Sequence, residues 1–325
     1  MVLEYDFGRM TNILAIVGCT ASGKSELAER LASRWAGSGG SPATIMAVDS
    51  MQVYRSMDIG TAKPSHQTRA RLEYVMIDVA NPWESYSAAS FVQTAMPIIR
   101  EHQEKNRPLI MVVGTILYFR ALLEGLFEGP TAEPQIRRRL RQEAQEHGTA
   151  YLHDKLSKVD PAAAERIHPN DIRRAIRALE VFELTGTPIS QLQVQWQSPS
   201  RQFDCRIIGV AREKEDINRR INQRVKAMME EGLLQEVKKL RDNPHGLSVQ
   251  AAQAVGYKEL IEHLDGKVSL DEAVDQIKIQ TRHLAKLQRT WLKRFDRIHW
   301  FHVESEKQTL DIANDVMEQL FDSIT

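Results

Sequence analysis

The chain has 325 residues, more than one average domain, with 42% hydrophobic and 26% charged side chains, so two globular domains with a sizeable core are expected. Its 43 basic residues balance 43 acidic ones, which excludes a global basic field and leaves any nucleic-acid contact to local patches. Cys19 and Cys205 alone exclude a disulfide framework or zinc spacing, and the lack of a signal-like start or a long apolar run points to a cytoplasmic chain without membrane contact.

In chain order, the apolar run Ile13-Leu14-Ala15-Ile16-Val17 predicts a strand, and Glu26 to Trp35 an amphipathic helix. Between them stands GCTASGKS, from Gly18 through Cys19, Thr20, Ala21, Ser22, Gly23 and Lys24 to Ser25. This spacing fits a phosphate-binding loop. The glycines let several backbone amides converge on one concavity, and the helix start adds its positive dipole end. Lys24 adds a full charge, and the Ser25 hydroxyl suits Mg²⁺. Random chains of this length carry the pattern in roughly one per cent of cases, and the flanking elements lower that further. Kinases, NTPases and some transferases share such a loop, so it names a ligand class and not a reaction.

After the Gly/Ser-rich turn at 37–42, residues 43–48 predict a second strand, whose C-terminal end delivers Asp49 and Ser50 beside the phosphate loop. MQVYRSMDIGTAKP, 51–64, reads as a long binding loop ended by Gly60 and Pro64. Residues 74–79 predict a third strand, and 87–102 a helix kinked or broken at Pro97. The continuous apolar run 108–114 predicts a buried parallel strand that delivers Thr115 to the same edge as Asp49.

Past Gly129-Pro130 the pattern turns helical through residue 200, with basic clusters at Arg137 to Arg141 and at Arg173, Arg174 and Arg177. A strand at 205–210 resumes the core, followed by a helix over 216–240 bearing Arg219, Arg220 and Arg224. A turn at 253–258 precedes a helix over 259–264, and a long helix follows over 271–295. On that helix Arg282, Lys286, Arg289 and Lys293 form a basic face, beside an apolar stripe of Leu284, Leu287, Trp291 and Phe295 expected to pack on the core. From Ile277 to His299 seven Lys/Arg meet one Asp, a local charge of +6 that suits a nucleic-acid backbone better than a solvated face. Residues 297–303 alternate as a strand, and a last helix begins at Thr309. The fold expected is α/β, a P-loop NTPase-like parallel sheet core (1–130 and 201–325) with an inserted all-helical domain (131–200).

Several stretches together resemble the tRNA dimethylallyltransferase, or tRNA isopentenyltransferase, family of bacterial type. They are GCTASGKS, DSMQVYRSMDIGTAKP at 49–64, GTILYFRALLEGL at 114–126, DPAAAERIHPNDIRRAIRALEV at 160–181, VGYKEL at 255–260 and QTRHLAKLQRTW at 280–291. The resemblance implies transfer of a dimethylallyl group from dimethylallyl diphosphate to N6 of the adenosine 3′ of the anticodon, tRNA position 37, in tRNAs reading codons that begin with U. The loop then holds the diphosphate leaving group, with Mg²⁺ at Ser25. Asp49 matches the general base, Thr115 the residue bonded to the leaving or bridging oxygen, and Arg224 a diphosphate-binding arginine. The tRNA-contacting positions implied are Asp49, Ser50, Met51, Gln52, Thr115, Arg137, Arg173, Arg174, Arg177, Gly256, Tyr257, Lys258, Lys286, Arg289 and Lys293. A monomer is expected, with tRNA and dimethylallyl diphosphate as its partners.

The chain departs from the family at Cys19, where proline is usual, at Val113, where a second glycine is common, and at Leu287, where a basic residue is common. Cys19 is expected to make the loop oxidation-sensitive, Val113 to restrict the backbone before Thr115, and Leu287 to weaken the basic ridge. Three rival readings remain: a free-nucleotide isopentenyltransferase, a small-molecule kinase, and a nucleic-acid-binding module without catalysis. The basic ridge and helical insertion disfavour the first. Nothing marks an adenine site for the second. The set Lys24, Ser25, Asp49 and Thr115 disfavours the third.

Overall fold

The computed structural model describes residues 11–35, 43–127, 129–193, 201–295, 297–304 and 306–321. Its strands are β1 (Ile13–Val17), β2 (Thr44–Val48), β3 (Tyr74–Val75), β4 (Leu109–Val113), β5 (Arg206–Ala211) and β6 (His299–His302). The helices are α1 (Lys24–Trp35), α2 (His66–Arg71), α3 (Ala88–Glu104), α4 (Ile116–Glu124), α5 (Pro134–His147), α6 (Thr149–Val159), α7 (Pro161–Arg166), α8 (Ile172–Thr185), α9 (Ile189–Leu192), α10 (Lys214–Glu230), α11 (Leu233–Arg241), α12 (Val249–Ala252), α13 (Tyr257–Leu264), α14 (Leu270–Leu292) and α15 (Glu306–Phe321).

The chain divides into two compact units, one taking Met1–Leu122 with Phe203–Thr325, the other Leu123–Gln202. In the first, six parallel strands form one sheet in the order β3-β2-β4-β1-β5-β6. Strands β1 and β2 are buried at every position, which is why, Thr44 apart, they read as apolar runs with no alternation. Their side chains pack with Leu27 and Leu31 of α1 and with Ile312 and Val316 of α15. In a parallel sheet every strand ends on the same edge, so residues following β1, β2 and β4 meet there. The regular elements of the second unit are all helices among its described residues, packed around Leu140, Leu152, Leu156, Ile176, Leu179 and Val181.

Four expectations change. The third strand stops after two residues, because Met76 and Asp78 take left-handed backbone angles of 66° and 57°. Ion pairs from Lys63 and Arg69, both at 2.6 Å, hold Asp78 in that turn. Pro97 does not end α3: it and Gln93 both face solvent, where water can take the carbonyl that proline leaves unbonded. The helix expected over 216–240 is two helices, parted at Gly232 with φ of 100°. On α14 the buried residues are Ala273, Ile277, Ala285, Gln288 and Leu292, while Leu284 and Leu287 stand 39% and 58% exposed, so the apolar stripe expected to pack inward faces solvent at those positions.

No helix among the described residues is long and apolar enough to cross a membrane.

Candidate active site

The loop after β1 has the backbone its spacing implies. Gly18 and Gly23 take φ of 152° and 102°, and Ala21 is left-handed at 63°. Only glycine fits at 18, since a Cβ there would lie 2.7 Å from both Ser22 Oγ and the Val210 carbonyl. α1 begins at Lys24, and Leu27 N–H closes its first turn on Gly23 at 3.0 Å. Lys24 is buried, and its Nζ donates to the Cys19 carbonyl at 3.1 Å. Burial disfavours the ammonium and, with the charge of Arg224 adding and that of Asp49 opposing, brings its pKa down to about 8. Ser25 is exposed on the first turn of α1.

Three arginines hold the loop from the β5–α10 side. Arg212 Nε donates to Ser22 O at 2.8 Å, Arg220 Nε to Ala21 O at 2.9 Å, and Arg224 Nη1 to Thr20 Oγ1 at 3.4 Å. Asp216 orients Arg212 through a 3.0 Å ion pair. Arg212 Nη2 and Ser22 Oγ are buried with no hydrogen-bond partner among the described residues. Burial, reinforced by Arg220, lowers the pKa of Arg224.

Asp49 leaves the C-terminal end of β2 half-buried, and its Oδ1 accepts the N–H groups of Met51 at 2.8 Å and Gln52 at 3.3 Å. A Cβ at Gly114 would lie 2.0 Å from Asp49 Oδ2, so the carboxylate occupies the space a side chain would fill. Val113 creates no difficulty: it is a buried strand residue paired with Val48, and the N–H groups of Gly114 and Thr115 both bond to Val48 O, at 3.0 and 2.9 Å. Thr115 Oγ1 accepts from Ser50 N–H at 2.8 Å and donates to Ser50 Oγ at 3.0 Å. A bond from Thr115 to a leaving oxygen therefore requires its proton to turn away from Ser50.

Gln288 of α14 went unnoticed in the sequence although it lies within a quoted motif. It is buried, its Oε1 accepts Thr20 N–H and its Nε2 donates to Gly114 O, both at 2.7 Å. One side chain thus joins the phosphate loop to the strand edge that carries Thr115. Arg212 was missed as well. Neither lies in a periodic or charged pattern distinguishing it from its neighbours.

A cavity of about 540 Å³ gathers these groups, within the range of small-molecule sites. Thr20, Ala21, Gly23, Lys24 and Ser25 line it together with Asp49, Ser50, Met51, Gln52, Thr115, Arg220, Arg224, Gly256 and Gln288. Its walls also include Gly60 to Ala62, Met228, Leu233, Ala254, Val255, Ile277 and Leu284. No cluster of three or more His, Cys, Asp or Glu able to hold a metal exists among the described residues. The exposed Ser25 hydroxyl in the cavity wall still suits Mg²⁺, which uses one or two protein oxygens and takes its other ligands from phosphates and water.

Cys19 is 5% exposed, and burial pushes its thiol pKa up despite Lys24 and Arg289 nearby. Reactivity needs an accessible thiolate, so the expectation of an oxidation-sensitive loop is withdrawn. Tyr257 is fully buried, its hydroxyl on Glu236 at 2.6 Å, and cannot meet a nucleic acid from there. Lys258, Lys286 and Lys293 are exposed, and Arg289 is partly so. In the helical unit Arg137 and Arg177 are ion-paired to Glu180, a fully buried carboxylate, at 2.7 and 2.6 Å. Arg173 and Arg174 of α8 are exposed, and Arg137, Arg141, Arg173 and Arg177 line a separate cavity of about 620 Å³ within that unit.

The family model for IPP transferase matches residues 52–295. The chain belongs to that family. It is similar to tRNA dimethylallyltransferase 2 of Geotalea uraniireducens, with 43% identity over 94% of this chain and 96% of the relative. It is equally similar, at 43%, to the tRNA dimethylallyltransferase of Geobacter sulfurreducens, over 90% of this chain and 92% of that one. Among solved structures it resembles the tRNA isopentenylpyrophosphate transferase of Bacillus halodurans at 39% identity and a TM-score of 0.67, covering 95% and 97% of the two chains. A eukaryotic dimethylallyltransferase captured acting on tRNA aligns at a TM-score of 0.75 and 25% identity, over 94% of this chain and 79% of its own. These family members share the α/β architecture described above.

Proposed function

We propose that the protein is a tRNA dimethylallyltransferase that moves a dimethylallyl group from dimethylallyl diphosphate to N6 of the adenosine at tRNA position 37, in tRNAs reading codons that begin with U. The observation that carries the reading is one cavity holding both a phosphate loop with its lysine and a fixed carboxylate, Asp49.

The bond that forms joins N6 to C1 of the dimethylallyl group, and the bond that breaks is C1–O. The electron pair leaves on the diphosphate and the N6 proton goes to Asp49. An adenine amine is a weak nucleophile, because its lone pair is delocalised into the ring, so a base in the same cavity as the loop has a task. Lys24, Arg224 and the loop amides face the position where leaving-group charge accumulates, and such interactions strengthen in the transition state. Ser25 would hold a Mg²⁺ ion, which would supply further charge neutralisation to the leaving group. The adenosine leaves its stack to enter the cavity, and the exposed Lys286, Lys293, Arg173 and Arg174 suit the RNA backbone. We read the working unit as a monomer.

The test is transfer assayed by mass spectrometry, with Mg²⁺, dimethylallyl diphosphate and either an anticodon stem-loop carrying the target adenosine or free AMP. Product on the stem-loop alone is expected. Product on AMP alone moves the protein to free-nucleotide transfer, and ATP turnover without prenyl product moves it to the kinases.

A further inference from the structure

Glu236 on α11 has no part in the chemistry above, yet its carboxylate accepts four hydrogen bonds. Oε2 takes the N–H groups of Asp58 at 3.0 Å and Ile59 at 2.9 Å. Oε1 takes Gly60 N–H at 3.2 Å and the Tyr257 hydroxyl at 2.6 Å. Three successive backbone amides converging on one carboxylate form an anion nest, filled here by the protein's own side chain. The Tyr257 ring lies so close to Gly60 that a Cβ at 60 would come within 2.4 Å of its Cε2. Burial, with the Glu236 charge adding, pushes the Tyr257 pKa far up, so that hydroxyl remains a donor.

Glu236 thereby fastens together two separate stretches, and both continue into the cavity wall. Thr61 and Ala62 follow Gly60 in the first, while Ala254, Val255 and Gly256 precede the other. From the first stretch a short path runs to the reacting groups. Gln52 Nε2 donates to Thr61 O at 3.1 Å, and Gln52 N–H donates to Asp49 Oδ1 at 3.3 Å.

We propose that Glu236 is a positioning residue for the transfer step: with Tyr257 it fixes the 58–62 loop, and through Thr61 and Gln52 it fixes the Asp49 carboxylate. The inference rests on Asp49 being the base, since holding that carboxylate in place affects the rate only if it takes the proton.

The experiment uses the full chain with Mg²⁺, dimethylallyl diphosphate and the anticodon stem-loop. It measures the single-turnover rate at saturation, the dissociation constant of each substrate and the melting temperature, for Glu236→Ala, Glu236→Gln, Tyr257→Phe and Asp49→Asn. In Glu236→Ala the saturated rate is expected to fall about 100-fold, the scale of a misplacement near 1 Å, with both dissociation constants within about threefold of the parent. Tyr257→Phe removes one bond of the four and is expected to lose about tenfold or less, in the same rate-selective way. If Glu236→Ala does not fold, Glu236→Gln and Tyr257→Phe carry the same comparison. Unchanged saturated rates beside an inactive Asp49→Asn overturn the clamp and leave the base standing. Losses that follow melting temperature or substrate affinity in equal proportion show a merely structural role and also overturn it. An active Asp49→Asn overturns the base assignment, and the clamp with it.

Discussion

To act as the proposed base, Asp49 has to stay in one place, and it is kept there by two amides on one oxygen and by the absence of a side chain at 114 on the other. Gly114→Ala, the smallest change possible, is therefore expected to displace the carboxylate and cut transfer about 100-fold. Its tRNA affinity should remain, and filter binding beside single-turnover rates checks both. Lys24 gives a pH signature. Its pKa is brought down to about 8 by burial, so below that pH it is already charged, and above it a diphosphate bound as proposed would draw a proton onto it. Calorimetry in buffers of different ionisation enthalpy should show proton uptake on binding that is small at about pH 6.5 and grows through pH 8. Lys24→Arg should abolish the increase. Cys19, buried with a raised thiol pKa, should be alkylated much more slowly in the folded chain than after denaturation, as thiol-labelling kinetics would show.

Among the elements, α14 shows where periodicity misleads. The sequence offers two stripes on this helix, and the larger side chains, Leu284 and Leu287, suggest the inward one. The structure instead buries Ala273, Ile277, Ala285, Gln288 and Leu292. Small residues at a helix interface let the neighbouring backbone come close, which here brings α14 against α10 and α13 and carries Gln288 to the phosphate loop. Volume alone would not choose that face, because the choice depends on what the facing helices present. The outward face then holds Lys286 and Lys293 together with Leu287. Lys286→Ala with Arg289→Ala should weaken tRNA binding and reduce its salt slope by about one to two units. Leu287→Lys should strengthen binding, since that position is 58% exposed on the same face. Titrations across a salt series test both, and an unaltered affinity in the double variant removes the ridge from the interface.

At the scale of the whole molecule, order along the chain and order in the sheet part company: β4 stands between β2 and β1, and β5 lies on β1's other side. That arrangement sets the Asp49 and Thr115 strands side by side, which makes the Thr115–Ser50 pair possible. The helical unit has its own anchor in Glu180, whose carboxylate is buried while its arginine partners are about one-third exposed. Burial alone would raise the Glu180 pKa, but the two guanidinium groups and Glu133 N–H overcome it, and the net shift is downward. Its contribution to stability is therefore present above the ordinary glutamate range and lost as pH falls through the lowered value. Glu180→Ala should destabilise the unit by about 2–3 kcal/mol, less than the cost of breaking a fully buried pair, because the arginines stay partly solvated. Urea melts followed by hydrogen exchange in α5 and α8 would measure it. The sequence by itself determined the apolar strands, the phosphate loop, and the placement of Asp49 and Thr115 at strand ends, because burial and glycine geometry constrain neighbours along the chain. Only the tertiary structure decided that Gln288 bridges loop and strand, that Arg212 and Glu236 hold backbone, and that Arg137, Arg177 and Tyr257 have protein partners. Those roles depend on groups up to 268 residues apart, and a hydrogen bond leaves no periodic trace in the chain that makes it.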